Sequence, residues 1–347
     1  MRREMTIKKP TLQDVADYAG VSTATVSRCL NQPDKVKQSL QEKIREAIET
    51  LGYVPHGAAR ALASRRTFTI GAIVPTIDNA IFSEAIQYLQ RDLTKAGYTL
   101  LLAQSSYSLD EELREVQSLL TQGIEGLVLV GEDHHQGVFD AIEQHRIPLV
   151  NIWTYNPESK YSCIGIDNAK AGQRIAEHLV ELEHRHFGVI SGILRGNDRA
   201  QQRLEGIKQH LQQNGIGLDD GEVLECRYSG EQGRLAMHEL MTHHPQTTAV
   251  ICGNDILALG ALCAARELGL SVPEDISITG FDDIEIIAVI SPALTTMNSP
   301  SRRMGAQTAE YLIQCIEGDD QRVERCELGT DLIVRETTGV AVSRGRA

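Results

Sequence analysis

The chain has 347 residues, 41% of them hydrophobic and 23% charged, with a formal net charge of -13. That length suits two or three domains with a sizeable core, and the acidic balance taken alone argues against a nucleic-acid partner. The distribution reverses that argument: residues 1–66 carry 12 Lys/Arg against 7 Asp/Glu, a net of +5, leaving 22 basic and 40 acidic side chains, a net of -18, for the rest. A small basic module able to attract phosphates thus precedes a large acidic body. The opening MRREMTIKKP is basic with no apolar run behind it, so no signal peptide is expected. No stretch approaches the roughly 18 apolar residues of a membrane span. Seven scattered cysteines without a C-x-x-C pair read as reduced, mostly buried thiols of a cytoplasmic protein.

The first predicted elements lie in TLQDVADYAGVSTATVSRCLN, Thr11 to Asn31. Thr11 with Asp14 fits a capping box, and Leu12, Val15 and Ala16 share one helical face. Gly20 can take the left-handed conformation that ends a helix. Ser22 is a second N-cap, opening a helix from Thr23 to Leu30 with Val26 and Leu30 inward. Thr23, Ala24, Ser27 and Arg28 are left outside, small, polar or basic, as a helix in a DNA major groove requires. A plain helical hairpin is the duller reading of the same pattern. Ser39 with Glu42 predicts another capping box, for a helix with Ile44, Ala47, Ile48 and Leu51 inward and Gly52 at its end. The basic, Ala-rich HGAARALASRR that follows is too short to hold a helix alone.

In the body, short apolar runs alternate with helical stretches: Thr69–Val74, Leu100–Ala103, Leu127–Val130 and Leu149–Asn151, then Phe187–Ile190, Ala249–Cys252 and Ile276–Thr279. Helices are expected at Ile81–Ala96, Leu109–Gln122, Ala169–Leu182, Leu204–Gln213 and Ile256–Leu268. Such alternation predicts parallel sheets covered on both faces, in two similar subdomains.

TLQDVADYAGVSTATVSRCLN, LGYVPHGAARAL and TIGAIVP, in that order, resemble the N-terminal part of the lactose/galactose-repressor (LacI/GalR) family. GLVLVG, IGIDN, GNDILALGA, VPEDISITGFDD and PALTTMNSP continue the resemblance in family order, across residues 11 to 339. The implied fold is a small all-α helix-turn-helix domain (9–56), a hinge (57–66) and an α/β two-lobed body (67–340) of two parallel-sheet subdomains, like a periplasmic binding protein. Residues 341–347 read as a tail. The chain would cross between lobes near Asp167, Met297 and Asp331, giving an N-lobe of about 67–166 and 297–330 and a C-lobe of about 167–296 and 331–340.

The resemblance also implies site residues. Thr23 and Ala24 match the main base-reading pair, with Ser27 and Arg28 facing DNA beside them. Neither Thr23 nor Ala24 can make a bidentate base contact, so Arg28 and DNA shape should carry more of the discrimination. Thr11, Ser22, Thr25, Asn31 and Tyr53 are candidate phosphate contacts, although capping alone accounts for Thr11 and Ser22. Leu62 matches a wedge that kinks DNA from the minor groove. His56 stands where the family usually has Asn. For the effector cleft the matches are Ile81, Phe82, Trp153, Arg199, Arg203, Tyr228, Asn254, Asp255 and Asp282. Core packing is the duller reading of Trp153 and Tyr228. Many relatives carry Asp where Trp153 stands, which removes an acceptor for paired hydroxyls. Arg195 and Arg199 close before Arg203 open the option of an acidic ligand.

The function expected is a sequence-specific transcriptional repressor controlled by a small molecule, a sugar, sugar acid or derivative. It would bind a pseudo-palindromic double-stranded operator as a homodimer, with no cofactor and no membrane partner. A soluble sugar-binding receptor and a small-sugar enzyme are the alternatives, but no G-x-S-x-G, H-E-x-x-H or P-loop is present. His134-His135, His184 with His186, and His243-His244 lack the carboxylate spacing of a metal site, so none is expected.

Overall fold

Thr11 opens the first helix as its N-cap: its hydroxyl accepts from the Asp14 amide at 3.3 Å, and the Asp14 carboxylate accepts from the Thr11 amide at 2.7 Å. The computed structural model describes residues 10–31, 33–54, 66–318 and 322–341. After Phe68 the chain divides into two compact units. The first contains α1 (Leu12–Ala19), α2 (Thr23–Asn31) and α3 (Gln38–Leu51). Gly20, at φ 66°, turns the chain out of α1. Ser22 then accepts from the Thr25 amide at 3.2 Å to start α2. Val15, Ala16, Val26, Ile44, Ala47 and Tyr53 close a small core, with Leu12, Leu30, Ile48 and Leu51 packed against it. One local expectation fails. α3 begins at Gln38, ahead of Ser39, and Lys37 at its N-cap makes no side-chain cap. The Gln41 amide donates back to the Val36 carbonyl at 2.8 Å, so the entry is fixed upstream of Ser39.

The second unit holds two six-stranded sheets. The first is built from β1 (Thr69–Val74), β2 (Thr99–Gln104), β3 (Gly126–Val130), β4 (Leu149–Ile152), β5 (Ser162–Gly165) and β11 (Arg325–Glu327), in the order β11-β5-β4-β3-β1-β2. The second is built from β6 (Phe187–Ser191), β7 (Val223–Glu225), β8 (Ala249–Cys252), β9 (Ser277–Asp282), β10 (Thr295–Asn298) and β12 (Leu332–Ile333), in the order β12-β10-β9-β8-β6-β7. All pairings are parallel except β10 with β12. β3, β4, β5, β6 and β8 are buried at every position, which is why all of them but β5, reading SCIG, stood out as apolar runs.

Helices α4 (Ala80–Lys95), α5 (Leu109–Thr121), α6 (Gln136–His145), α7 (Asn168–Glu181), α8 (Asp198–Gln213), α9 (Gly230–His243), α10 (Asp255–Glu267) and α11 (Ser301–Gly318) cover the sheets. The chain passes between lobes after β5, after β10 and between β11 and β12. Met297 lies within β10, so it belongs to the second sheet and the passage follows it. α8 starts six residues before the predicted Leu204, because the Asn197 side chain accepts from the Ala200 amide and caps it there. Arg199 and Arg203 therefore sit on a helix. Among the described residues no helix is long and apolar enough to cross a membrane.

Candidate functional site

Parallel strands aim their carboxyl ends in one direction, and the segments that leave those ends are where such folds hold ligands. Here those segments from both lobes face one another. Ile81 and Phe82 follow β1, Tyr107 follows β2, Trp153 follows β4, and Ile166 and Asn168 follow β5. From the other lobe come Asn197, Arg199 and Arg203 after β6, Tyr228 after β7, Asn254 after β8, and Phe281 and Asp282 at the end of β9. With Asn79 they enclose a cavity of about 30 Å³. A groove of about 910 Å³, sharing Ile81 and Asp282 with it, opens beside it along Glu285, Pro300 and Arg302.

Eight of the nine cleft residues named from the sequence line this cavity; Asp255 does not. It is fully buried behind the wall, its carboxylate accepting from Thr296 Oγ1 at 2.6 Å and from the Ile284 amide at 2.9 Å. Asn254 is the N-cap of α10, its Oδ1 taking the Leu257 amide at 2.9 Å. The next side chain around the helix points into the sheet instead. Burial pushes the Asp255 pKa up to about 7, the hydrogen bonds from Thr296 and from the Ile284 and Asp283 backbone offsetting only part of that cost.

Arg203 lies over the Phe281 ring, 4.1 Å from its centroid, and donates from Nη1 to the Gly253 carbonyl at 2.9 Å and from Nε to the Arg199 carbonyl at 3.3 Å. Arg199 reaches across to the other lobe, donating to the Val130 carbonyl at 2.8 Å, and pairs with Asp198 at 2.9 Å. Asp198 accepts in turn from the Glu132 amide at 2.9 Å, so the start of α8 clasps the end of β3. Burial, with Asp255 nearby, raises the Asp282 carboxyl well above the usual range, and Arg203 only partly opposes this. Tyr107 stacks on Tyr228 with centroids 5.5 Å apart, and Phe82 meets Trp153 edge-on at 4.9 Å.

Asn79, Tyr107, Ile166, Asn168, Asn197 and Phe281 were missed from the sequence, yet each closely follows or ends a parallel strand. That position was the available signal. Of the histidines weighed for metal, His134 is buried against Glu112 at 2.7 Å, and His184 bonds Thr248 and Ser277 at 3.0 Å each.

In the first unit α2 turns Val26 inward, leaving Ala24 and Arg28 exposed and Thr23 and Ser27 half-buried. Thr11 and Ser22 are exposed at helix starts, and Thr25 Oγ1 lies 2.9 Å from Ser22 Oγ. Asn31 is the last residue of α2. Tyr53 is only 9% exposed and its ring belongs to the core, which leaves at most its hydroxyl for a phosphate. Leu62, His56 and nearly all of the hinge lie outside the described residues.

Comparison with known proteins agrees with this layout. Residues 11–56 match the model of bacterial regulatory proteins of the lacI family, and residues 176–338 match a periplasmic binding protein-like domain. The HTH-type transcriptional repressor PurR of Photorhabdus laumondii is 32% identical over 94% of this chain and 96% of its own length. The Lac repressor dimer bound to operator and the anti-inducer ONPF superposes with a TM-score of 0.84 at 28% identity, covering 96% of this chain and 100% of that one. A complex of the transcriptional regulator CelR with cellobiose gives 0.71 at 30% identity, covering 94% and 99%. The helix-turn-helix unit, the two-lobed body and the extent of the sequence match together place this chain in the lacI family of bacterial transcriptional regulators.

Proposed function

We propose that this regulator is a cytoplasmic, homodimeric repressor whose α2 reads a pseudo-palindromic operator and whose cleft takes a small sugar-like effector. The observation that carries the reading is the interlobe cavity, where side chains following seven parallel strands converge with aromatic faces and polar groups together. In this reading Thr23, Ala24, Ser27 and Arg28 face base edges, and Thr11, Ser22, Thr25, Asn31 and Tyr53 hold the backbone. Leu62 of the hinge is the minor-groove wedge. Ile81, Phe82, Trp153, Arg199, Arg203, Tyr228, Asn254 and Asp282 hold the effector. The binding of a sugar bound by CelR and of an operator by the Lac repressor supports the two halves of the proposal.

The cavity is far below the roughly 300 Å³ at which ordinary ligand pockets begin. Binding a sugar therefore requires the lobes to part or the wall to rearrange. A change in lobe separation would alter the spacing of two hinges in a dimer, so effector and operator affinities would be coupled reciprocally. The test uses operators selected from random duplex DNA. Specific binding should fall steeply with salt, and Arg203→Ala should lose the effector response while keeping operator affinity. An Arg203→Ala protein that responds at wild-type effector concentrations would show that the effector binds elsewhere.

A further inference from the structure

The cavity's polar groups are unevenly committed. Asn79, Asn197 and Asn254 use their amide oxygens to cap helices, accepting from the Ile81, Ala200 and Leu257 amides. Asn168 and Asn197 use their amide nitrogens on the carbonyls of Trp153 and Ile193. Two buried polar atoms of the lining have no hydrogen-bond partner among the described residues: Trp153 Nε1 and Asn254 Nδ2. Both can only donate. Trp153 is 5% exposed and Asn254 2%, so water outside the cleft does not satisfy them. A buried donor left unpaired is destabilising by about 1–3 kcal/mol, so such a pair demands an explanation at the site.

The chain is also held in an unfavourable shape to present this indole. Trp153 has φ 63°, a left-handed conformation rarely taken by a bulky side chain. Its amide faces Met304 Sδ at 3.2 Å and its carbonyl accepts from Asn168. Gly165 passes so close behind that a Cβ there would lie 2.7 Å from the Trp153 carbonyl carbon. Packing thus fixes the ring, edge-on to Phe82, with its N–H unpartnered among the described residues.

We propose that Trp153 sets effector specificity, its indole N–H acting with Asn254 Nδ2 and Arg203 to select a sugar or polyol carrying a carboxylate over its neutral counterpart. This rests on the reading of the cleft as the effector site. A carboxylate supplies acceptor oxygens to both orphan donors and an anion to Arg203, which has no ion pair within 4 Å among the described residues. Arg199 is already neutralised by Asp198. Asp282, the one acid in the lining, has its carboxyl pushed toward the neutral form by burial, which reduces its repulsion of an anion. The rings of Phe82, Tyr228 and Trp153 offer apolar faces for the C–H surface of a sugar.

The chain contains one tryptophan, so its emission reports this site without a label. Glucuronate, galacturonate, gluconate and galactonate would be titrated into the full chain beside glucose, galactose, glucitol and galactitol. Emission and calorimetry would follow the wild type, and calorimetry would follow Trp153→Phe, which keeps a ring against Phe82. At least one acid should bind about tenfold or more tighter than its neutral partner, as a charge-assisted hydrogen bond predicts, and Trp153→Phe should bring that ratio near one. Equal or tighter binding of the neutral partners, no binding of any acid, or a ratio unchanged in a folded Trp153→Phe protein would each overturn the proposal. Operator affinity is measured on the same samples. Acid binding that leaves operator affinity unchanged supports this assignment and counts against the regulatory reading of the cleft, so the two can fail separately.

Discussion

Replacing Asp255 by Asn separates a structural acid from a ligand contact. Thr296 Oγ1 and the Ile284 amide both donate to this carboxylate, in a fully buried position. Burial moves its pKa from the ordinary 3.8 to about 7. A carboxyl whose pKa is raised on folding holds its proton more tightly in the native state. Its contribution to stability is therefore fully present below 3.8 and is lost as pH rises through 7. Between pH 5 and pH 8 that loss is about 2.5 kcal/mol, taking 1.36 kcal/mol per unit. Asn cannot ionise, so its stability curve should lack this fall. It can keep both contacts, its Oδ1 accepting from the Ile284 amide and its Nδ2 donating to Thr296 Oγ1, a hydroxyl that accepts as well as donates. Asp255→Asn should therefore gain about 2.5 kcal/mol on the wild type between pH 5 and pH 8. Urea unfolding followed by circular dichroism at pH 5, 6, 7 and 8 measures the difference. Effector affinity should stay within about twofold, since Asp255 lies behind the cavity wall. Parallel stability profiles for the two proteins, or a large loss of effector affinity, would refute the assignment.

Other changes probe the two binding surfaces. A Cβ on Gly192 would lie 1.9 Å from Tyr228 Cζ, so Gly192→Ala should displace that ring and weaken effector binding by about 1–3 kcal/mol, with operator affinity unchanged in a gel-shift titration. Arg28→Ala should weaken operator binding by about 1–3 kcal/mol and relax sequence choice, which a repeated selection from random duplex would reveal. Leu62→Ala should lower operator affinity far more than random-duplex affinity at one salt concentration; equal losses would mean that Leu62 is not a wedge. A stable monomer at micromolar concentration in sedimentation, bound to half-sites alone, would count against the homodimer.

The helix-turn-helix was legible in the sequence because its determinants are local. A hydroxyl at Thr11, a carboxylate three residues on and Gly20 at the helix end act over distances the chain itself fixes. The central strands were legible because burial on both faces leaves an unbroken apolar run, as at Leu127–Val130. Strands of two or three residues, such as β7, β11 and β12, carry no period of their own and exist through their neighbours. Ser39 shows the limit even of a local motif: the entry from Val36 and Lys37, set by the Gln41 side chain, began α3 two residues too early for Ser39 to cap it. The cleft divides in the same way. Eight residues could be named in advance, but the motif GNDILALGA gives Asn254 and Asp255 equal claims. Only the packing of α10 on β9 and β10 sends one side chain to the cavity and the other to Thr296. The convergence of Tyr107 from one lobe on Tyr228 from the other, and the positive φ that presents the Trp153 indole, depend on how two sheets are brought face to face. No spacing along the chain encodes that distance, because it is set by the packing of segments more than a hundred residues apart.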